Sequence, residues 1–358
     1  MNPPFRADQV GSLLRPAKLR DARLNLERGG AALNEIENEC VREAVRRQQD
    51  IGLQAVTDGE MRRDYWHLDF ARQLDGVTLK APVGMTFNAD DVPPMVTITG
   101  KVGCGKPIFV DHFKFLKSVA KVVPKLTIPA PATLHFRGGR NAISRAVYPD
   151  LKEFWADTAI AYRHAIAQIA AAGCTYLQLD DVSFAYLCDP KVRENFRANG
   201  DDPATLHRDY ATAIADALRD RPAGMTVTMH TCRGNFRSAW FAAGGYNDEV
   251  IEAMFSAPVD GFFMEYDTER AGGFAPLRLL PRNKKVVLGL VTTKKGELES
   301  KDALIGKIKE AAAYVPLENL CLSPQCGFAS THHGNALSED EQWRKLERVV
   351  EVAREVWR

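Results

Sequence analysis

Four side chains in this 358-residue sequence have the types and the placement to share one metal ion. His230 and Cys232 lie in Met229-His230-Thr231-Cys232, Glu265 in Phe263-Met264-Glu265-Tyr266, and Cys326 in Pro324-Gln325-Cys326-Gly327. An imidazole, two thiols and a carboxylate suit Zn2+, which takes nitrogen, sulfur and oxygen donors in a tetrahedral shell. The residues are far apart in sequence, and each stands at or just past the end of a short apolar run that reads as a buried strand. Structural zinc sites draw on compact Cys-x-x-Cys knuckles, so assembly from separate strand ends points to catalysis with a position left for substrate. Two thiolates and a carboxylate more than neutralise a divalent ion, which makes the site a poor Lewis acid and an activator of thiols. A free thiol with a pKa of about 8.5 is mostly protonated near neutral pH, whereas a coordinated one is held as thiolate. Glu265, the only hard oxygen donor of the set, is the ligand expected to loosen when a substrate sulfur arrives.

The elements that must position these groups follow an α/β alternation. Apolar, β-branched runs at 5–12, 53–60, 125–131, 176–181, 226–232, 261–265, 286–291 and 320–324 alternate with amphipathic stretches. About eight strands in this order predict a (β/α)8 TIM barrel. A helix over 151–172 is expected behind an Asp150 cap, with Phe154, Ala159, Tyr162, Ala165, Ile166 and Ile169 at helical spacing and Gly173 as its stop. The last helix opens on a capping box, Ser338 and Glu341, and sets Trp343, Leu346, Val349, Val350 and Ala353 along one face. Residues 77–110 break the alternation with two β-like runs interrupted by Pro93-Pro94 and glycines, which reads as a β-hairpin insertion. No repeat, linker or low-complexity tract divides the chain, so 1–358 is expected to be a single catalytic domain. In such a barrel Ser12, Glu60, Asp180, His230, Cys232, Glu265 and Cys326 fall on the carboxyl-end rim, where barrel enzymes place their chemistry.

Composition narrows the ligand. Lys and Arg total 47 against 46 Asp and Glu, which leaves no charge excess for nucleic acid or an anionic membrane and favours a small molecule. The opening Met-Asn-Pro-Pro-Phe lacks a signal peptide's apolar core, and no apolar stretch reaches spanning length, so the reading is cytoplasmic. Seven cysteines, an odd number, fit reduced thiols and metal ligands better than a disulfide framework. Gly100-Lys101-Val102-Gly103-Cys104-Gly105-Lys106 has phosphate-loop spacing, but Pro107 replaces the Ser/Thr that would hold magnesium. Cys40, Cys174, Cys188 and Cys321 read as small buried hydrophobes. Cys104 could be reactive in its glycine loop. His67, His112, His135 and His164 lack ligand-like neighbours, although His135 ends a candidate strand and is open to a rim role. Phe236, Trp66 and Tyr186 could wall a pocket.

The His-x-Cys pair, the Glu after an apolar strand and the Pro-x-Cys-Gly segment together resemble the zinc-ligand pattern of the cobalamin-independent methionine synthases. Val10-Gly11-Ser12, Asp58-Gly59-Glu60 and Gln178-Leu179-Asp180-Asp181 resemble that family's amino-acid-binding segments in the same order, from about residue 5 to 335. The resemblance implies transfer of a methyl group to the thiol of L-homocysteine, forming methionine, at a Zn2+ ion held by His230, Cys232, Glu265 and Cys326. It places the substrate ammonium on Asp180 and Glu60 and the carboxylate at the backbone around Ser12. Asp181 stands where the family usually has Glu. Full-length synthases have two barrels in about twice this length, and this chain resembles the catalytic half. The family's strand-seven histidine, which protonates folate, is absent from Leu290-Val291-Thr292-Thr293-Lys294-Lys295, leaving Lys294 or the His332-His333 pair as proton source. The donor is then a methylfolate, methylcobalamin or a methyl-corrinoid brought by a delivery protein, and a homodimer is open. Rival readings are another zinc-activated thiol alkylation, such as epoxyalkane opening by coenzyme M, or a non-catalytic amino-acid-binding barrel.

Overall fold

The computed structural model describes residues 2–81 and 93–358. Its strands are β1 (Ala55–Val56), β2 (Asp75–Lys80), β3 (Met95–Gly103), β4 (Val123–Pro129), β5 (Tyr176–Asp181), β6 (Thr226–Thr231), β7 (Gly261–Glu265), β8 (Lys285–Val291) and β9 (Leu320–Pro324). Seven of them form one parallel sheet in the order β1-β4-β5-β6-β7-β8-β9. This sheet curls into a TIM-like barrel with helices between its strands. Every residue of β5, β7 and β9 is buried, which is why these strands read as near-continuous apolar runs.

Among the described residues the first expected strand, 5–12, makes one bridge, Ala7 to Leu322. The Asp8 N–H donates to Leu322 O at 3.0 Å and the Leu322 N–H to Arg6 O at 2.9 Å on one flank. On the other, Thr57 Oγ1 donates to Gly11 O at 2.6 Å and the Leu13 N–H to Gly59 O at 3.0 Å. The segment thus stands between β9 and β1 as an irregular eighth stave. Asp8 turns into the barrel instead of extending a ladder and ion-pairs with Lys125 at 3.2 Å, both side chains being fully buried. β1 is also shorter than the expected 53–60. After Val56, Thr57 Oγ1 and Asp58 Oδ1 accept from the Gly59 and Glu60 N–H groups at 3.2 and 2.9 Å, so local side-chain bonds replace the ladder.

The insertion is the antiparallel β2–β3 hairpin. It ends earlier than expected, because Val110 already opens the helix Val110–Val119, and residues 82–92 of the expected insertion lie outside the described residues. The helix Leu151–Ala171 is capped by Asp150, whose carboxylate accepts the Lys152 N–H at 2.9 Å. The helix Glu339–Val356 has the expected reciprocal capping box and buries Trp343, Leu346, Val349 and Val350, with the Arg47 guanidinium 4.5 Å over the Trp343 ring. Among the described residues no helix is long and apolar enough to cross a membrane.

Candidate metal and substrate site

In-register pairing of β5 with β6 sets Asp180 beside His230. Alternation along β6 then puts Cys232 on the same face as His230. The turn after β9 brings Cys326 to them. One donor atom from each of His230, Cys232 and Cys326 lies within 4.8 Å of the others, and the two sulfurs are 3.4 Å apart. All three residues are buried.

The three donors act on one another electrostatically. The Cys232 hydrogen bond, aided by His230 and Lys294, holds the Cys326 thiol down to about 6 against burial, while Cys326 and burial push Cys232 well up. Burial opposes a charge on His230, yet Asp180 at 3.4 Å and the Cys326 sulfur outweigh it and raise its pKa. An imidazole nitrogen and two sulfurs that converge in this way are donors that zinc takes, so the set fits zinc, with Asp180 orienting the imidazole from behind.

Glu265 is fully buried but stands outside that three-residue group. Arg270 and Lys294 hold Oε1, the latter at 3.4 Å, and the Arg233 N–H donates to Oε2 at 3.0 Å. These cations keep the Glu265 carboxyl below its ordinary range in spite of burial. The structure thus brings together three of the four expected ligands and clamps the fourth nearby. Lys294, also 3.9 Å from Asp267 Oδ2, faces a second, shallower cleft bordered by Trp240 and Arg270. Burial works against its charge, but Glu265, Asp267 and the two cysteines hold its pKa up.

The main cleft, about 870 Å³ with its open mouth, is lined by His230, Cys232 and Cys326 together with Ser12, Glu60, Asp180 and Asp181. Glu60 sits at φ +56°, a left-handed conformation that is uncommon for a non-glycine residue and is found at strained functional turns. The Asp58-Gly59 turn imposes it and aims the carboxylate into the cleft. Glu60 Oε1 accepts from Thr127 Oγ1 at 2.9 Å with Arg63 at 3.4 Å, whereas Oε2 is buried without a partner. Burial, with Asp180 nearby, pushes this carboxyl up to about 7 although Arg63 and Arg15 oppose it. Asp180 Oδ1 accepts from the Gln178 amide at 2.7 Å. Gly327 packs so closely on Ser12 that a β-carbon there would collide with Ser12 Oγ.

Asp181, one residue out of phase with Asp180, accepts from Ser183 Oγ at 2.9 Å and the Phe184 N–H at 3.2 Å, starting the short helix Ser183–Leu187. Trp66, Tyr186 and Phe236 do line the cleft, and so do Phe136, Phe241 and Tyr65. His135 takes no place on the rim: it bridges Tyr210 at 2.9 Å and Asp201 at 3.2 Å within the core. His332 and His333 have ring centroids 3.8 Å apart with planes tilted by 35°, and both lie against Tyr65, which lines the cleft. Cys104 is buried and donates to Lys106 O at 3.3 Å, and burial raises its thiol, so the glycine loop does not activate it. The phosphate-like spacing fails too, since the Asp75 carboxylate takes the Gly105 N–H at 2.9 Å. Sequence reasoning missed His67, Asn235, Arg137 and Arg270. All four lie outside the strands, where periodicity gives no signal; the one available clue was for Asn235, three residues past Cys232.

Residues 5–355 match the family described as the cobalamin-independent synthase catalytic domain. The chain belongs to that family. An uncharacterised Bacillus subtilis protein, YxjH, is 46% identical over 99% of this chain and 95% of its own length. A vitamin-B12-independent methionine synthase candidate from Listeria monocytogenes superposes with a TM-score of 0.79 at 40% identity, covering 99% of this chain and 98% of that one. A B12-independent methionine synthase from Shewanella sp. W3-18-1, solved with selenomethionine, shares the fold at a TM-score of 0.75 and 20% identity, covering 98% and 97%. Family membership makes this chain a methionine-synthase-like methyltransferase.

Proposed function

We propose that the chain moves a methyl group to the thiol of L-homocysteine, forming methionine, with zinc at His230, Cys232 and Cys326 and with Glu265 completing the donor set. The observation that carries this reading is the shared cleft: the two thiols and the imidazole open onto the same space as Glu60 and Asp180. Bound zinc would supply a thiolate at neutral pH. The protein's own groups do the rest. Glu60 and Asp180 bind the ammonium, and the unpartnered Glu60 Oε2 is left free for it. Ser12 and its backbone hold the carboxylate end, and the aromatic wall excludes water from the transfer. In that transfer the sulfur–methyl bond forms as the donor's methyl bond breaks and the donor atom keeps the bonding pair; the thiol proton leaves to solvent, and a folate nitrogen takes up one proton in place of its methyl, whereas a corrinoid keeps the pair on cobalt. Arg270 and Lys294 hold Glu265 ready and let it yield to an incoming sulfur. An acceptor ending in a sulfonate, such as coenzyme M, would set its anion against two carboxylates, which favours the amino acid. The donor is a methylfolate or a methyl-corrinoid.

Zinc-edge X-ray absorption with and without L-homocysteine tests the reading. A shell that gains a sulfur and loses a light-atom donor supports it. Zinc indifferent to homocysteine removes the acceptor, and absence of zinc removes the centre.

A further inference from the structure

His67 is 5% exposed and lines the cleft, yet among the described residues neither of its ring nitrogens has a hydrogen-bond partner. A neutral imidazole has one donor and one acceptor, and burying both unmade is unfavourable unless something else supplies partners. The ring lies against Trp66, centroids 4.5 Å apart, and faces Phe136 at 6.3 Å. Phe136 meets Tyr186 at 5.9 Å, and Tyr186 meets Phe241 at 4.9 Å. The cleft's lining therefore holds two chemically different groups, the Glu60 and Asp180 carboxylates and a run of touching aromatic rings that includes the His67 imidazole as its unsatisfied hydrogen-bonding member, with Arg137 also in the lining.

We propose that His67 is the polar anchor of a second subsite, which takes a flat ring system with a hydrogen-bonding edge, the methyl donor's, between the aromatic wall and the thiol centre. This rests on the methyl-transfer reading. The carboxylates suit a cation, so the two substrates sort to different groups of the lining and meet over Cys232 and Cys326. Burial, followed by the Arg137 charge, lowers the His67 pKa to about 3, so the ring is neutral and presents both a donor and an acceptor.

The test is equilibrium binding, read by tryptophan fluorescence, of 5-methyltetrahydrofolate and, separately, of L-methionine to the full zinc-loaded chain. His67→Phe preserves the ring and its stacking. It should weaken 5-methyltetrahydrofolate at least tenfold, leave L-methionine unchanged and leave the melting temperature level or higher, because two unsatisfied nitrogens are gone. His67→Gln, which restores a donor and an acceptor, should recover part of the affinity and keeps the test available if the first variant folds poorly. Equal affinity in the wild type and His67→Phe overturns the proposal, as does a wild type that binds no 5-methyltetrahydrofolate. Either would leave water as the partner of His67. The zinc response to homocysteine reports on the acceptor alone, so failure of this subsite and failure of the methyl-transfer reading give different results.

Discussion

Replacing Asp8 by Asn should weaken the fold through the irregular stave that carries Val10 and Ser12 into the cleft. Asp8 Oδ1 accepts from Lys125 Nζ at 3.2 Å and the Gln9 N–H at 2.8 Å, and Oδ2 from Tyr176 Oη at 2.8 Å and the Phe5 N–H at 3.2 Å. Three of these partners, the Lys125 ammonium and two backbone N–H groups, can only donate. An amide turned with its NH2 toward Oδ1's partners opposes two of them, turned the other way it opposes the Phe5 N–H, and in either orientation it leaves the Lys125 ammonium, which has no exposed surface, without a counter-charge. Lys125 keeps Gln9 O at 2.6 Å and the Phe263 ring at 4.1 Å, which moderate the loss without neutralising it. Breaking a buried pair in this way costs about 3–5 kcal/mol. With an unfolding entropy of about 2 cal/mol/K per residue, this chain would lose roughly 4–7 °C in melting temperature. The assay is thermal and urea unfolding of Asp8→Asn, Lys125→Met and the double variant. Because the double variant removes the stranded charge, it should be more stable than Asp8→Asn alone. A loss below about 1 kcal/mol, or additive single losses, would refute the claim that this pair closes the barrel. Methionine affinity should fall with it, since Ser12 hangs on the same segment.

Glu60 makes binding pH-dependent. Its carboxyl, raised to about 7 by burial, binds a proton in the folded protein that the unfolded chain has already lost above about pH 4.5, so its contribution to stability declines as pH rises through that window. An arriving ammonium should reverse the preference: at pH 6 L-methionine should bind with release of close to one proton, fading by about pH 8.5 and absent in Glu60→Gln. Calorimetry in buffers of different ionisation enthalpy measures this, and no release at pH 6 would sink the assignment. Asp180→Asn should raise the KM for homocysteine roughly 10- to 100-fold, the loss of a hydrogen bond to a charged group, and an unchanged KM removes Asp180 from the acceptor site. Gly327→Ala should lower zinc per chain by elemental analysis, because the added methyl forces Cys326 or Ser12 to move; full zinc retention shows that the close approach does not position the thiol.

Much of the centre was legible because buried parallel strands end abruptly in polar residues. His230 and Cys232 could be placed on one face from their spacing alone, and Asp180 on the same rim as a strand end; that it pairs in register with His230 came from the structure. The eighth strand was misread for a physical reason: 5–12 has a strand's composition, but the inward turn of Asp8 and the side-chain bonds of Thr57 are tertiary and leave no periodic trace. The clamp on Glu265 was invisible for the same reason, since Arg270 lies on a single 3-10 turn, Glu269–Ala271, whose orientation no pattern predicts. Asp180 and Asp181 are adjacent acids, and pleating sends one toward the imidazole and the other to a helix start.

The deviations from ordinary folding rules around this cleft have a common sense. Glu60 is held in left-handed backbone, its Oε2 is unpaired, both His67 nitrogens are unpaired, and Asn235 Oδ1 is buried without a partner while its amide bonds Thr293 and Gly327. Each buried unmade bond costs about 1–3 kcal/mol, and the strained turn costs about as much. A fold supports such sites when the rest of the molecule is locally consistent, as the capped outer helices and fully buried strands here are. The unmade bonds are therefore binding energy held in advance: a ligand that meets them regains what folding gave up. It follows that the wild-type chain should be stabilised more by its ligands than Glu60→Gln or His67→Phe, although His67→Phe removes two unsatisfied nitrogens and should equal or exceed it when empty.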